Sequence, residues 1–142
     1  MKTMNRIAAL LIAATGVGST GLYAQDQVVM DIPFNFNVKA AKLPAGRYEM
    51  TKPIGDPNTI QISNLDNGRT VLLVSYKALV TGPGVAPKAI FNQYGDRYFF
   101  SELWTSDGVE SRVSPSKLER EVKTSAEKKH AAPVTIAVAG TK

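Results

Sequence analysis

The stretch IFNQYGDRYFFSELW, Ile90 to Trp104, is two apolar runs joined by Gly95-Asp96, and it holds six of the eleven aromatic residues of the chain. A two-residue loop with Gly at its first position suits a type II′ turn, because Gly takes φ > 0 without a Cβ clash and the turn's twist matches that of the strands. The spacing predicts a hairpin in which Tyr94 faces Arg97, Gln93 faces Tyr98, Asn92 faces Phe99, Phe91 faces Phe100, Ile90 faces Ser101 and Ala89 faces Glu102. Side chains alternate along a strand, so Phe91, Tyr98, Phe100 and Trp104 are expected on one face with Gln93 and Glu102. Ile90, Tyr94, Phe99 and Leu103 are expected on the other with Asn92 and Ser101. Neither face is polar, which places the hairpin centrally, with a sheet against one face and a partial cover on the other.

The segments on either side read as further strands. Val28 to Val38 alternates in its second half, with Ile32, Phe34, Phe36 and Val38 on one face, and Pro33 puts that end on a sheet edge. Lys39 to Lys42 is a polar turn, and Leu43-Pro44-Ala45-Gly46 punctuates the start of a strand, Arg47 to Lys52, with Tyr48 and Met50 facing inward. Thr59 to Leu65 and Thr70 to Tyr76 flank Asp66-Asn67-Gly68-Arg69, and Asn-Gly is a strong hairpin signal. With Asn67 and Gly68 central, Asp66 faces Arg69, Ile62 faces Leu73, and Ile60, Ile62, Val71 and Leu73 form a buried face. The Gly- and Pro-rich segment from Lys77 to Pro87 is either the mouth of a ligand site or, the preferred reading, a sheet-to-sheet crossover. Val109 to Val113 adds a short strand.

One convincing helix follows. Pro115 suits a first helical turn, Ser116 and Glu119 have capping-box spacing, and Leu118, Val122 and Ala126 form a narrow apolar stripe. That stripe is a candidate cover for the second face of the aromatic hairpin. Val134 to Val138 reads as a last strand or a tail, with the small residues around it favouring disorder.

The chain begins MKTMNRIAALLIAATGVGSTGLYAQ, with Lys2 and Arg6 ahead of an apolar run and then small residues to Ala24, the pattern of a secretory signal peptide cleaved after Ala24. The run is shorter than the roughly 20 residues of a membrane span. Excluding residues 1–24 leaves 118 of the 142 residues, enough for one core, and lowers the formal net charge from +5 to +3. The exported chain is thus only mildly basic, which argues against nucleic acid as a partner. It has no Cys, so its stability in an oxidising compartment rests on burial without disulfides. The division expected is leader 1–24, β domain 25–113, packed helix 114–130 and tail 131–142.

The residue inventory narrows the chemistry. Without Cys and with one His, the chain has no thiol nucleophile and no His-based metal cluster, and no Gly-rich phosphate loop stands between a strand and a helix. No catalytic residue, metal ligand or cofactor is assigned. Carboxylate-only glycan hydrolysis would need two acids at a defined separation. Glu102 is the sole acid expected on an apolar face, and Arg47, Arg97 or Arg112 could pair with it. A structural ion pair is the preferred reading, and Asp96 is a turn residue. Tyr94, Tyr98 and Trp104 are first of all core residues. Their polar handles also make them, with Glu102, the candidate surface for a sugar or small apolar ligand.

The segments PFNFNV, LPAGRYEM, FNQYGDRYFFSELW and SKLEREV together resemble a family of small exported proteins from soil bacteria. The resemblance lies in Leu43 to Tyr48, Tyr94 to Phe99 and Ser101 to Trp104, and covers roughly Val28 to Glu121. It implies export and a shared β fold, and transfers no catalytic residue. The expectation is an all-β protein, a small antiparallel β-sandwich or partly closed barrel of about six to eight strands with one C-terminal helix. Functionally it is a non-enzymatic protein of the periplasm or cell surface that binds a ligand or envelope component. The alternatives are a purely structural envelope protein and a carboxylate-dependent glycan hydrolase.

Overall fold

The computed structural model describes residues 27–141, so the expected leader lies outside the described residues. In chain order the elements are β1 (Gln27–Ile32), β2 (Phe36–Val38), β3 (Ala41–Leu43), β4 (Gly46–Thr51), β5 (Thr59–Asn64), β6 (Thr70–Val74), β7 (Tyr76–Val80), β8 (Lys88–Tyr94), β9 (Arg97–Trp104), β10 (Val109–Arg112), α1 (Lys117–Lys128) and β11 (Val134–Ala139). One sheet has the order β1-β4-β5-β6; the other runs β11-β8-β9-β10-β7, with β2 attached to β9 and β3 to β2. The fold is mostly β, largely antiparallel, and the two sheets share one core, which fits a sandwich. Neither sheet closes on itself. Along one side Val29 and Thr141 exchange backbone hydrogen bonds of 2.8 Å, tying the β1 edge to the chain beyond β11.

Among the described residues eleven strands stand where about six to eight were expected, in part because the chain changes sheets inside segments that read as continuous. Val28 to Val38 is interrupted at Pro33, which has no N–H for a ladder, so β1 lies in one sheet and β2 in the other. The second interruption is Ser75, which separates β6 from β7 and donates its N–H to the Asn58 carbonyl at 2.6 Å. Pro44 and Ala45 turn the chain back between sheets. There the buried Tyr48 hydroxyl donates to the Pro44 carbonyl at 2.5 Å and Asn35 Oδ1 accepts the Ala45 N–H at 2.9 Å. That gives the Leu-Pro-Ala-Gly-x-Tyr spacing a physical purpose: the ring is buried while its hydroxyl fastens the corner.

Inside, Val28, Met30, Tyr48, Met50, Ile60, Ile62 and Leu73 from one sheet meet Phe36, Ala89, Phe91, Phe100 and Leu103 from the other. Phe36 meets Tyr48 edge-on between the sheets, with centroids 5.0 Å apart. Phe91 receives Phe34, Phe36 and Phe100 at 5.1, 5.3 and 5.7 Å.

The aromatic hairpin forms as expected from its turn to Phe91–Phe100, with Gly95 at φ 65°. Beyond that the expected register fails. Ile90 pairs with Glu102 and Ala89 with Leu103, because Ser101 is an extra residue on β9 and its carbonyl serves Val113 N–H instead. A bulge of one residue reverses side-chain parity. Phe91, Tyr98 and Phe100 face the core, as does Leu103 after the bulge. Glu102 and Trp104 turn to the outer face, away from the rings with which alternation grouped them.

The Asn-Gly hairpin also has a different register, Ile62 with Val71 and Ile60 with Leu73. Asn64 Oδ1 accepts the N–H groups of Asp66 and Asn67 at 2.7 and 3.0 Å, and Gly68 N–H closes on the Asn64 carbonyl at 2.9 Å. Only Gly68 (φ 75°) is left-handed, so the two-residue type I′ turn, which needs φ > 0 at both central positions, gives way to a longer loop. The slip is even, so the faces are preserved: Ile60, Ile62 and Leu73 are buried as expected. Asp66 and Arg69, expected to face each other, go to other partners: Asp66 accepts the Arg47 N–H and Arg69 reaches the Lys42 carbonyl.

The C-terminal region corrects the sequence reading twice. Pro115 lies ahead of the N-cap, Ser116, whose hydroxyl accepts the Glu119 N–H at 3.1 Å. Val134 to Val138, read as a last strand or a tail with disorder favoured, lies in β11, which pairs with β8 along its whole length. Its own small side chains bury little, so the open edge of β8 supplies the reason to order it: six residues of ladder, with Ile136 and Val138 against the core. Among the described residues no helix is long and apolar enough to cross a membrane.

Candidate functional site

The four residues singled out as a ligand surface are distributed over three places. Tyr94 is buried beneath α1, its ring edge-on to Phe99 at 5.8 Å and its hydroxyl donating to Glu119 Oε1 at 3.2 Å. Asn92 Nδ2 donates to the same oxygen at 3.0 Å. Glu119, 4% exposed, thus anchors the helix to the outer face of the hairpin through two neutral donors. The capping-box spacing signalled the N-cap but not this inward turn of the carboxylate, which depends on where β8 lies.

Burial first, then the nearby Glu119 carboxylate, pushes the Tyr94 phenol up to about 12. A folded-state pKa above the unfolded value means the native state holds the proton more tightly. The stabilisation is therefore complete below about pH 10 and is lost as the pH rises towards 12. Tyr94→Phe is expected to cost about 1 kcal/mol near neutral pH. It should also flatten the alkaline fall in stability, as read by urea denaturation at about pH 7 and about pH 11.

Glu102 and Trp104 lie at the other end of that outer face. Trp104 Nε1 donates to Glu102 Oε2 at 3.2 Å, and Lys88 Nζ sits 5.1 Å from the centre of the Trp104 ring. Arg112 Nε is 3.4 Å from Glu102 Oε1 and donates to Glu110 Oε1. Of the three arginines considered as partners for Glu102, Arg112 is the one that pairs. Glu110, 1% exposed, pairs with Trp104 across β9 and β10, a register that sequence reasoning did not assign. Its hydrogen bond and charge hold the Arg112 proton more firmly than usual. Two carboxylates gripping one guanidinium form a charge-assisted network in which each acid has a cationic partner.

Tyr98 occupies the third place. It stacks on Phe34 with centroids 3.9 Å apart and planes 12° from parallel, at the edge of the core beside the hairpin tip. Two cavities flank that tip and share Asp96, Arg97 and Leu118. One, about 470 Å³, lies under α1, with Leu118, Val122 and Ala126 as its apolar side and Glu121, Ser125 and Lys129 along its rim. The other, about 570 Å³, opens towards the β2–β3 hairpin and is lined by Asn35, Asn37, Lys42 and Tyr98. The helical stripe, expected as a partial cover for the second face of the hairpin, lies over its tip, and the part left uncovered is this cleft.

The cleft is lined by Lys42, Arg97 and Lys129 against Asp96 and Glu121, a slight positive excess. Glu121 lies 3.9 Å from Lys117, whereas Lys42, Arg97 and Lys129 form no ion pair among the described residues. Residues 81–87, considered as a mouth, line neither cavity; Thr81 and Gly84 are instead bonded to the 105–108 turn, through the carbonyls of Gly108 and Ser106. The first part of the Lys77 to Pro87 segment lies in strand β7, and the rest spans from β7 to β8 past the ends of β9 and β10 within one sheet, so it is not the sheet-to-sheet crossover expected. Searched against known proteins, the chain matches no family model, no curated protein and no solved structure.

Proposed function

We propose that this is an exported, non-enzymatic protein of the periplasm or cell surface that binds a ligand or envelope component in the cleft around the hairpin tip. It belongs, on this reading, with the small exported β proteins that its Leu43 to Tyr48 and Tyr94 to Trp104 motifs resemble. The observation that carries the proposal is a pair of adjoining cavities, each within the size range of small-molecule sites, that meet at Arg97, an arginine without an ion-pair partner among the described residues. Tyr94, which lines the cavity under α1, and Tyr98 are retained from the sequence-based ligand set, while Glu102 and Trp104 belong to an ion-pair network on the outer face. Native mass spectrometry of the gently isolated protein is expected to show a co-purifying small molecule that is lost in Tyr98→Ala; a clean apo mass would count against the reading.

The structural envelope role has one observation in its favour. Leu72, Val74, Tyr76, Leu79 and Val80 are all about half exposed or more and follow one another along β6 and β7, the free edges of the two sheets. Crosslinking in cells that captures one envelope component through these residues would favour that role. For the hydrolase alternative, Glu102→Gln is decisive. The ion-pair reading expects a small fall in melting temperature and no change in any glycan turnover, whereas a catalytic Glu102 expects turnover to vanish at an unchanged melting temperature.

A further inference from the structure

We propose that the cavity between the β2–β3 hairpin and the tip of the β8–β9 hairpin takes a sugar acid: a hydroxyl-rich ring bearing one carboxylate. The inference rests on the cleft being a binding site and names the ligand class. The charges lining this cavity are Lys42 and Arg97 against Asp96, a balance of one positive charge. One carboxylate matches it. A phosphate monoester, carrying about −1.5 to −2 near neutral pH, would be undercompensated. The guanidinium fork of Arg97 can hold a planar carboxylate by two parallel hydrogen bonds, which the ammonium of Lys42 cannot do.

The neutral part of the lining suits hydroxyl groups. Asn35 Oδ1 is engaged by the Ala45 N–H, and Asn37 Nδ2 donates to the Tyr98 carbonyl at 3.2 Å. Those bonds fix both amides and leave the Asn35 amino group as a donor and Asn37 Oδ1 as an acceptor. Sugar hydroxyls act as both donors and acceptors, so this pair fits them better than it fits an apolar chain. Tyr98, held by its stack on Phe34, gives the cavity a rigid aromatic wall.

Calorimetric titration of the purified protein with glucuronate, glucose, glucose 6-phosphate and tetragalacturonate tests this. Glucuronate or the uronate oligomer is expected to bind about tenfold or more tightly than glucose and glucose 6-phosphate, the size of effect one charge-assisted hydrogen bond supplies. The tighter of the two uronates tells a free sugar acid from an acidic polysaccharide. Arg97→Gln is expected to erase the preference for the acid, and Glu102→Gln, at the far end of the hairpin and outside the cavity lining, to leave it unchanged. Both Lys42 and Arg97 are exposed, so unaltered melting temperatures are expected for their variants. Equal affinity for glucuronate and glucose, tighter binding of glucose 6-phosphate, or a preference that survives both Arg97→Gln and Lys42→Gln would overturn the inference. If no probe binds while a small molecule still co-purifies, the ligand class falls and the cleft reading stands. If nothing binds and nothing co-purifies, both fall.

Discussion

Replacing Gly108 by Ala is expected to destabilise the protein by about 3 kcal/mol or more, far beyond a surface substitution. Gly108 has φ 79°, and a Cβ placed there would lie 1.8 Å from the Gly82 carbonyl oxygen. That neighbour is backbone, held in place because Thr81 N–H donates to the Gly108 carbonyl at 2.9 Å and Gly84 N–H to Ser106 at 3.3 Å. A side chain there would force the 81–87 connection off the 105–108 turn. Gly95→Ala supplies the control, since Gly95 is also left-handed (φ 65°) but has nothing within 4 Å of its Cβ position. Its expected cost is about 1–2 kcal/mol, that of the backbone conformation alone. Urea midpoints of the two variants separate the contributions; equal losses would mean that the connection does not lie on Gly108.

The second large effect concerns the bulge. Phe91 is fully buried and touches three other rings, so Phe91→Ala is expected to cost about 3–5 kcal/mol. For a domain of this size that lowers the melting temperature by roughly 10–25 °C. Simple alternation puts Trp104 on the same face and predicts a comparable loss for Trp104→Ala. With Ser101 as an extra residue, Trp104 is a half-buried outer residue whose ring is capped by Lys88, and its truncation should cost clearly less. Comparable losses would return Trp104 to the core and abolish the bulge.

These two predictions divide along the line between what could be read from residue order and what could not. The type of element was legible where a pattern ran unbroken, strands from alternation, the helix from its cap and stripe, and the aromatic turn from Gly95, but not at β3, β7 and β11, which lie largely in segments that read as turn, loop and tail. Tyr48, Met50, Ile60, Ile62 and Leu73 were legible as core because each sits in an unbroken alternating run. The site was legible only in part. Tyr94 and Tyr98 line the cleft, but Arg97, Lys42, Asn35 and Asn37 belong to two hairpins far apart in the chain, and no local pattern reports that they meet.

Residue order by itself determined an all-β chain with a single convincing helix and a buried aromatic hairpin, because hydrophobic period and turn chemistry act over a few neighbours. The tertiary structure alone decided the bulge at Ser101, the ordering of β11, the inward turn of Glu119 and the clustering of Glu102, Glu110 and Arg112. Each of these depends on a partner strand's free hydrogen bonds or on a charge brought near from a distant segment. Those energies exist only once the sheets are assembled, so they leave no trace in the spacing of the residues that respond to them.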